Sequence, residues 1–225
     1  MKYIICLLVI LSLFIAACDD RSGDKPTMRF YADSYTIYNE ENYQTTALHV
    51  RLSGTESYIS NRQVNFVYDS DYGTITGGSG DAFLDMTDEN GEINVEYTAA
   101  DSVLGPVTIS AQMESFSSVG SDITLEVLDI PNFKEFSVND SVTVNDSVTV
   151  FVKLESQSDN IANQWLMFNT NNGFFENDSL KTDNEGAANN VYFAPGFFGE
   201  VTLNVKLRDF PEIYENFTIY VNENK

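Results

Sequence analysis

The stretch "TDENGEINVEYTA" at residues 87–99 occurs again in altered form as "TDNEGAANNVYFA" at residues 182–194. In both copies a Thr-Asp pair precedes a glycine, and residues typical of a strand follow. Asp and Gly favour tight turns, and an apolar–polar alternation with a period of two is typical of a half-buried β-strand. The copies lie 95 positions apart. The sequence therefore predicts an internal duplication of a β-rich unit of about a hundred residues.

The rest of the chain has the same alternation and no helical period. "LHVRL" (48–52) matches "VFVKL" (150–154), and Tyr72-Gly73 matches Asn172-Gly173. Short strands between Gly, Asn, Asp and Ser clusters predict antiparallel β-sandwiches, with no helix. Ten strands are predicted at 46–52, 63–68, 92–99, 106–113, 122–128, 147–154, 164–169, 187–194, 200–207 and 216–222. The predicted seam is "LDIPNF" (128–133), because Pro131 is unsuited to a central strand.

The hexapeptide Asn-Asp-Ser-Val-Thr-Val occurs twice in succession, at 139–144 and 145–150. Because six is an even number, the repeat keeps each residue on the same face of a strand. Compared with residues 33–52 of the first unit, residues 140–144 are a first strand, Asn145-Asp146 a turn, and 147–154 a longer second strand. We interpret the repeat as two similar strands and assign it no function of its own.

These features resemble the bacterial immunoglobulin-like domains of the invasin and intimin type. The pattern T-D-x-x-G-x-x-x-V is present as Thr87, Asp88, Gly91 and Val95, and as Thr182, Asp183, Gly186 and Val191 with its Val one place later. The resemblance implies an all-β fold with two tandem immunoglobulin-like sandwiches, at 28–130 and 131–225. It also implies surface domains that act as rigid spacers or adhesive modules without catalysis.

The amino-terminal segment has the form of an export signal. Met1-Lys2 precedes an uncharged run at 3–17, which is short for a membrane-spanning helix. Ile15, Ala16, Ala17 and Cys18 resemble the lipobox of bacterial lipoproteins, which implies cleavage of residues 1–17 and lipidation of Cys18, including palmitate. The alternative is an ordinary signal peptide, which would leave Cys18 as an unpaired exported thiol. Residues 18–27 are then a lipidated tether, and an outer-membrane or cell-surface location is expected.

Charge and residue content restrict the function. The formal charge of −22, from 12 basic and 34 acidic residues, argues against nucleic acid as a partner and suits a cationic or calcium-bridged one. His49 is the only histidine and alternates with apolar neighbours, so we expect a solvent-facing strand residue. No catalytic motif is present, and we expect no enzyme and no cofactor. Calcium held by the acidic loops at 69–92 is a weaker alternative.

Two aromatic loops form the candidate binding site. "NNGFFEN" (171–177) and "APGFFGE" (194–200) are expected at one end of the second sandwich, away from the first unit and the membrane. Phe174, Phe175, Phe197 and Phe198 are therefore predicted to form an apolar tip that contacts a protein or glycan partner. The alternative is that one Phe of each pair turns into the core. A third possibility, an accessory subunit for glycan capture, would require a groove lined with exposed aromatic residues.

Four Asp-Ser-aliphatic triplets resemble an O-glycosylation signal of some Gram-negative envelopes. The acceptor side chains would be those of Ser102, Ser141, Ser147 and Ser179. Together these features predict a lipid-anchored, non-enzymatic envelope protein that presents its domains for adhesion or for binding. The alternative is a structural spacer or assembly factor with no ligand of its own.

Overall fold

The computed structural model describes residues 25–101 and 103–223, and they form two β-sandwiches of the same topology. Residues 1–24, which include the lipobox, lie outside the described part of the chain. Within the described residues, no helix has the length and apolar character needed to cross a membrane.

The first sandwich contains nine strands and one helical turn. The strands are β1 (Thr27–Ala32), β2 (Thr36–Tyr38), β3 (Thr45–Ser53), β4 (Gln63–Val67), β5 (Gly73–Ile75), β6 (Ala82–Met86), β7 (Glu92–Ala99), β8 (Gly105–Met113) and β9 (Gly120–Leu128). One sheet has the order β1-β3-β7-β5 and the other β2-β9-β8-β4-β6. The expectation of no helix was wrong at one place, because α1 (Glu56–Ile59) forms a single turn too short to carry a helical period.

The second sandwich repeats this arrangement strand for strand. Its strands are β10 (Asn132–Ser137), β11 (Ser141–Thr143), β12 (Ser147–Glu155), β13 (Trp165–Thr170), β14 (Phe174–Phe175), β15 (Ser179–Lys181), β16 (Ala187–Phe193), β17 (Gly199–Leu207) and β18 (Tyr214–Asn222). The sheet orders are β10-β12-β16-β14 and β11-β18-β17-β13-β15. Adding nine to each strand number of the first sandwich reproduces both orders, which confirms the predicted tandem all-β architecture.

Strand alternation places the core between the two sheets of each unit. In β3 the side chains of Leu48, Val50 and Leu52 are buried, and in the matching strand β12 those of Val150 and Val152 are buried. Each fully buried aliphatic side chain contributes about 1.5–3 kcal/mol relative to exposure. The chain therefore has two separate apolar cores, one for each sandwich.

The repeated hexapeptide supplies one strand to each sheet of the second sandwich. Val142 lies in β11, which pairs with β18, whereas Val148 lies in β12 of the facing sheet. Both side chains are buried from opposite sides of the core. Asn145 turns the chain between the strands with a φ of 59°. The interpretation as strand, turn and strand is confirmed.

The Thr side chain of each T-D-x-x-G block is hydrogen-bonded to the backbone of the segment that precedes β4 or β13. Thr87 Oγ1 donates a hydrogen bond to the Ile59 carbonyl at 2.5 Å and accepts one from the Arg62 backbone N–H at 2.9 Å. Thr182 Oγ1 makes the equivalent bonds to the Ile161 carbonyl and the Gln164 N–H, at 2.6 and 2.9 Å. The buried hydroxyl satisfies backbone groups that no strand reaches, as buried polar groups require.

The Asp of each block closes the turn that follows, which leads from β6 to β7 and from β15 to β16 in the facing sheet. Asp88 Oδ1 accepts hydrogen bonds from the N–H groups of Asn90 and Glu92, both at 2.8 Å, and Asp183 Oδ1 does the same for Glu185 and Ala187. Because an ionised carboxylate accepts these bonds best, the Glu92 N–H lowers the pKa of Asp88 and the Ala187 N–H lowers that of Asp183.

These two carboxylates make folding stability depend on acid pH. Their folded pKa lies below the unfolded value of about 3.9, so the stabilisation is complete above that pH and is lost as the pH falls through the folded pKa. We expect the double substitution D88N/D183N to flatten the fall in stability as the pH drops below about 4. Urea unfolding at a series of pH values measures this. Glu89→Gln, in the same turn as Asp88, is the control and should leave the slope unchanged. An unchanged slope for D88N/D183N contradicts the assignment.

A buried tyrosine anchors the loop at the start of β5 and of β14. The Tyr97 hydroxyl donates to the Tyr72 carbonyl at 2.9 Å, and the Tyr192 hydroxyl donates to the Asn172 carbonyl at 2.8 Å. Burial raises the pKa of Tyr97 to about 12, so this hydroxyl remains a donor across the physiological range. The match between Tyr72-Gly73 and Asn172-Gly173 in the sequence therefore marks the same tyrosine contact in both sandwiches.

Candidate functional site

The first aromatic loop is shaped by strand β14. Phe174 and Phe175 pair with Phe193 and Tyr192 of β16, so consecutive side chains point to opposite faces of the sheet. Phe175 is 6% exposed, and its ring lies 5.2 Å from that of Phe168. The prediction that Phe175 belongs to the binding tip was therefore wrong, since strand alternation turns this residue into the core.

Phe174 points outward and is 61% exposed. Its ring stacks on that of Phe193, with centroids 4.9 Å apart and an interplanar angle of 14°. The sequence interpretation did not include Phe193, although its place one residue before the second loop is a usable signal. Stacking holds Phe174 in one orientation at the surface, so its exposed face is available for contact.

Both phenylalanines of the second loop are exposed, Phe197 by 51% and Phe198 by 63%. Residues 194–198, which connect β16 to β17, include no strand residue, so no alternation turns either ring inward. In the described part of the chain, neither ring contacts another aromatic ring. We refer to Phe174, Phe197 and Phe198 as the distal tip.

The distal tip lies at the end of the second sandwich opposite the first sandwich. β17 begins at Gly199, opposite Val221 of β18, and it approaches its other end at Lys206, opposite Tyr214. The turn that follows that other end carries Phe210, whose ring contacts those of Tyr38 and Tyr43 from the first sandwich at 4.8 and 5.1 Å. The prediction that the loops face away from the first unit agrees with this geometry.

A junction between the sandwiches was not anticipated from the sequence. Besides the three-ring contact, the Tyr43 hydroxyl donates to Glu212 at 3.3 Å. The residues involved are far apart in the chain, and none belongs to a recognisable motif. No local sequence pattern therefore identifies these residues.

Asp129 ties the connecting segment to a loop of the second sandwich. Its carboxylate accepts hydrogen bonds from the Ser156 hydroxyl at 2.6 Å and from the N–H groups of Gln157 and Ser158 at 2.6 and 2.8 Å. Burial raises the pKa of Asp129, but these hydrogen bonds outweigh it and lower the pKa below its usual value. The segment between the sandwiches is therefore attached to the second sandwich through this carboxylate.

The histidine lies on an outer sheet face, as predicted, but it is packed. Its ring stacks on Tyr31 at 4.9 Å, Nδ1 lies 2.6 Å from Asn94 Oδ1, and Nε2 lies 2.9 Å from Asp33 Oδ1. Both nitrogens of His49 are thus engaged by neighbouring side chains. This arrangement leaves neither nitrogen directed at a nucleophile.

The other candidate positions are placed as follows. Ser141 and Ser147 are exposed and Ser179 is half-buried, whereas Ser102 and the lipobox residues Ile15, Ala16, Ala17 and Cys18 lie outside the described residues. In the acidic loops, Asp81 accepts hydrogen bonds from the Ser70 hydroxyl and N–H, which lower its pKa. Across residues 25–101 and 103–223, no group of three or more His, Cys, Asp or Glu side chains is placed to hold a metal ion.

Solved structures of intimin have a similar fold. The C-terminal 282-residue fragment of intimin, in complex with the intimin-binding domain of the translocated intimin receptor, is 15% identical, with a TM-score of 0.51. The match covers 90% of this chain and 64% of that fragment. The D0-D1 domain of intimin is 17% identical, with coverage of 88% and 99% and a TM-score of 0.38.

The Yersinia pseudotuberculosis adhesin InvE is 14% identical, with coverage of 87% of this chain and 58% of its own, and a TM-score of 0.41. No protein-family model matches the chain, and no curated protein matches it. The predicted fold class, tandem immunoglobulin-like sandwiches, is confirmed by the topology and by the 282-residue intimin fragment. At this level of identity the likeness establishes the fold alone.

Proposed function

We propose that this chain is a lipid-anchored, non-enzymatic envelope protein that binds a protein or glycan partner through the distal tip. Lipidation at Cys18 would attach it to a membrane, at the outer membrane or cell surface. The two sandwiches would carry the tip away from that membrane.

One observation supports the proposal: three phenylalanines of the loops at the far end of the second sandwich are each more than half exposed. Buried aromatic residues supply much of the energy of a binding site, and large exposed apolar patches on soluble monomers usually mark a contact surface. The stacking of Phe174 on Phe193 supports the same reading, because a held ring loses little entropy on binding.

The proposal includes no catalysis. The only histidine of the chain has both ring nitrogens engaged, by Asp33 and Asn94. A general base of the usual kind needs a free nitrogen within hydrogen-bond reach of the proton that it removes. The adhesin-like neighbours have the same sandwich fold, and fold by itself does not assign a partner.

The junction favours a second candidate function, that of a spacer or assembly factor without its own ligand. The Tyr38, Tyr43 and Phe210 rings join the two sandwiches, and Asp129 attaches the connecting segment to the second one. A held junction suits a rod that sets a distance from the membrane. The two functions differ in whether the distal tip binds a partner.

The first function predicts that the tip forms a specific contact in cells. We expect a photo-crosslinking amino acid at position 197 to capture a partner, and one at Tyr35, equally exposed on the first sandwich, to capture none. With that partner purified, the triple substitution F174S/F197S/F198S should weaken binding by at least about 30-fold, because hot-spot aromatic residues contribute about 2 kcal/mol or more. Isothermal calorimetry measures the affinity.

The melting temperature of each variant shows whether weaker binding results from lost contacts or from a destabilised fold. The triple variant should melt as the unmodified protein does, since all three side chains are exposed. Phe175→Ser, one residue from Phe174 but buried, should melt much lower. Unchanged affinity in the triple variant, or no captured partner at position 197, would rule out the binding function and leave the spacer.

A further inference from the structure

Strand β6 is an unpaired edge of the first sandwich. It is outermost in its five-stranded sheet, and among residues 25–101 and 103–223 it pairs only with β4. Tyr68 N–H donates to the Asp81 carbonyl and Thr87 N–H donates to the Arg62 carbonyl, both at 3.0 Å. Antiparallel pairing alternates between these two bonds, so the backbone groups of Ala82, Leu84 and Met86 face the open side. An edge of this kind is a template for a further strand.

The outer face of this edge is apolar. Leu84 is 51% exposed and Met86 is 53% exposed, and Val67 on the neighbouring strand is 45% exposed. The three side chains project to one face, because strand alternation sends Phe83 to the other face against Phe66. A clustered apolar surface beside unpaired backbone groups is typical of strand addition.

An open groove of about 500 Å³ lies beside β6, toward the edge of β7. Ala47, Phe83 and Val95 supply its apolar lining, and Asp85 and Glu96 supply two carboxylates. The groove is open because β5 pairs only with residues 97–99 of β7. Side chains of an added strand would enter it.

The second sandwich has the same topology, and its matching strand β15 is also outermost in its sheet, but the residues of β15 disfavour strand addition. β15 has three residues, where β6 has five. Lys181 occupies the register position of Met86, and its Nζ lies 5.1 Å from the centre of the Trp165 ring. Edge lysines of this kind prevent strand addition.

The position that corresponds to Val95 of the groove is polar in the second sandwich. Asn190 replaces Val95 in the register, and its side-chain amide donates to the Asn177 carbonyl at 2.7 Å. Asn190 is buried, whereas Val95 is half-buried. The open edge of the first sandwich therefore results from its own residues and not from the fold.

The acidic character of the groove and of the chain indicates that the partner is cationic. No Lys or Arg is among the residues that line the groove, and the whole chain has a formal charge of −22. Asp85 Oδ1 accepts a hydrogen bond from the Met86 N–H at 2.8 Å, which occupies one donor of the open edge. A cation on an incoming strand would pair with this carboxylate and release the N–H for the new strand.

We propose that β6 and its groove bind an extended segment of another protein, in which apolar residues alternate with lysine or arginine. A second copy of this chain fits less well, because two chains of −22 would repel each other. This site is on a different sandwich from the distal tip and does not rest on the proposed function.

The test uses two labelled ten-residue peptides, one alternating valine with lysine and the other valine with glutamate, against the full chain. Fluorescence anisotropy should give at least ten-fold tighter binding for the lysine peptide. Hydrogen exchange should slow at residues 82–86 when it binds. Leu84→Lys should weaken binding at least ten-fold, and Asp85→Asn should reduce the preference for lysine at least three-fold.

Tyr35→Lys is the matched control. Tyr35 is 49% exposed and lies beside β2, at the opposite edge of the same sheet. The Tyr35→Lys variant should therefore bind the lysine peptide with unchanged affinity. Equal melting temperatures for all variants would show that the exposed substitutions leave the fold intact. Equal affinity for the two peptides, no binding of either, slowed exchange elsewhere than β6, or self-association of the chain through β6 would each overturn the proposal.

Discussion

Replacing Cys18 by serine is expected to move the protein from the membrane fraction to the soluble fraction. In the lipobox resemblance the Cys18 thiol is the acceptor of the lipid, and a serine hydroxyl at this position is not a substrate for that transfer. Each buried methylene contributes about 0.8 kcal/mol, so two or three acyl chains account for nearly all of the attachment. Cell fractionation and intact mass measure the loss of the anchor.

The chain provides its own control for this experiment. Cys6 is the only other cysteine and lies within the predicted signal segment, so Cys6→Ser should leave lipidation and membrane attachment unchanged. A Cys18→Ser protein that stays in the membrane fraction would show that the protein is held there by something other than a lipid on this thiol. The proposed attachment would then be abandoned, but the tip and the β6 edge would not be affected.

Substituting Gly173 by alanine is expected to cost about 3 kcal/mol or more of unfolding free energy. A Cβ at this position would lie 2.4 Å from the Phe193 carbonyl oxygen and 2.5 Å from the Tyr192 hydroxyl. The residue also has a φ of 73°, which L side chains rarely adopt. The loop and the buried tyrosine cannot both keep their places, because the core around Tyr192 is closely packed.

Substitution of Gly80 separates the energetic cost of the close Cβ contact from the cost of the left-handed backbone conformation. Its φ is 74°, but a Cβ there would meet nothing within 4 Å. Gly80→Ala should therefore cost only about 1 kcal/mol, the penalty of the left-handed conformation. Urea unfolding measures both, and G173A in a Tyr192→Phe background should be less than additive. Equal costs at the two glycines would show that the tyrosine contact is unimportant.

Most strands could be predicted from the sequence because alternation is a local property. The predicted range 92–99 is β7 itself, and the nine other predicted strands differ from the observed ones by at most two residues at either end. The strands that were missed lie mainly at sheet edges, where both faces are partly exposed. β10, for example, has no buried residue, and β6 is exposed or half-buried throughout. Without a buried face there is no alternation to detect.

The candidate site was predicted in outline and corrected in detail. The position of the two aromatic loops at one end followed from the fold, but the exposure of each ring depended on whether it lay in a strand. Phe175 is turned inward by pairing with Tyr192, whereas Phe197 and Phe198 lie in a loop that imposes no alternation. A two-residue strand such as β14 is too short to recognise in the sequence.

By itself, the sequence determined the β-sandwich architecture, its duplication, and the turns that Thr-Asp and Gly form, because each depends on neighbouring residues. Only the tertiary structure decided which phenylalanines form the tip, how Tyr43 meets Glu212 across 169 positions, and how the exposed apolar edge of β6 differs from the lysine-bearing edge of β15. Those features depend on side chains brought together from distant strands, and their contacts arise only when the sheets pack against each other.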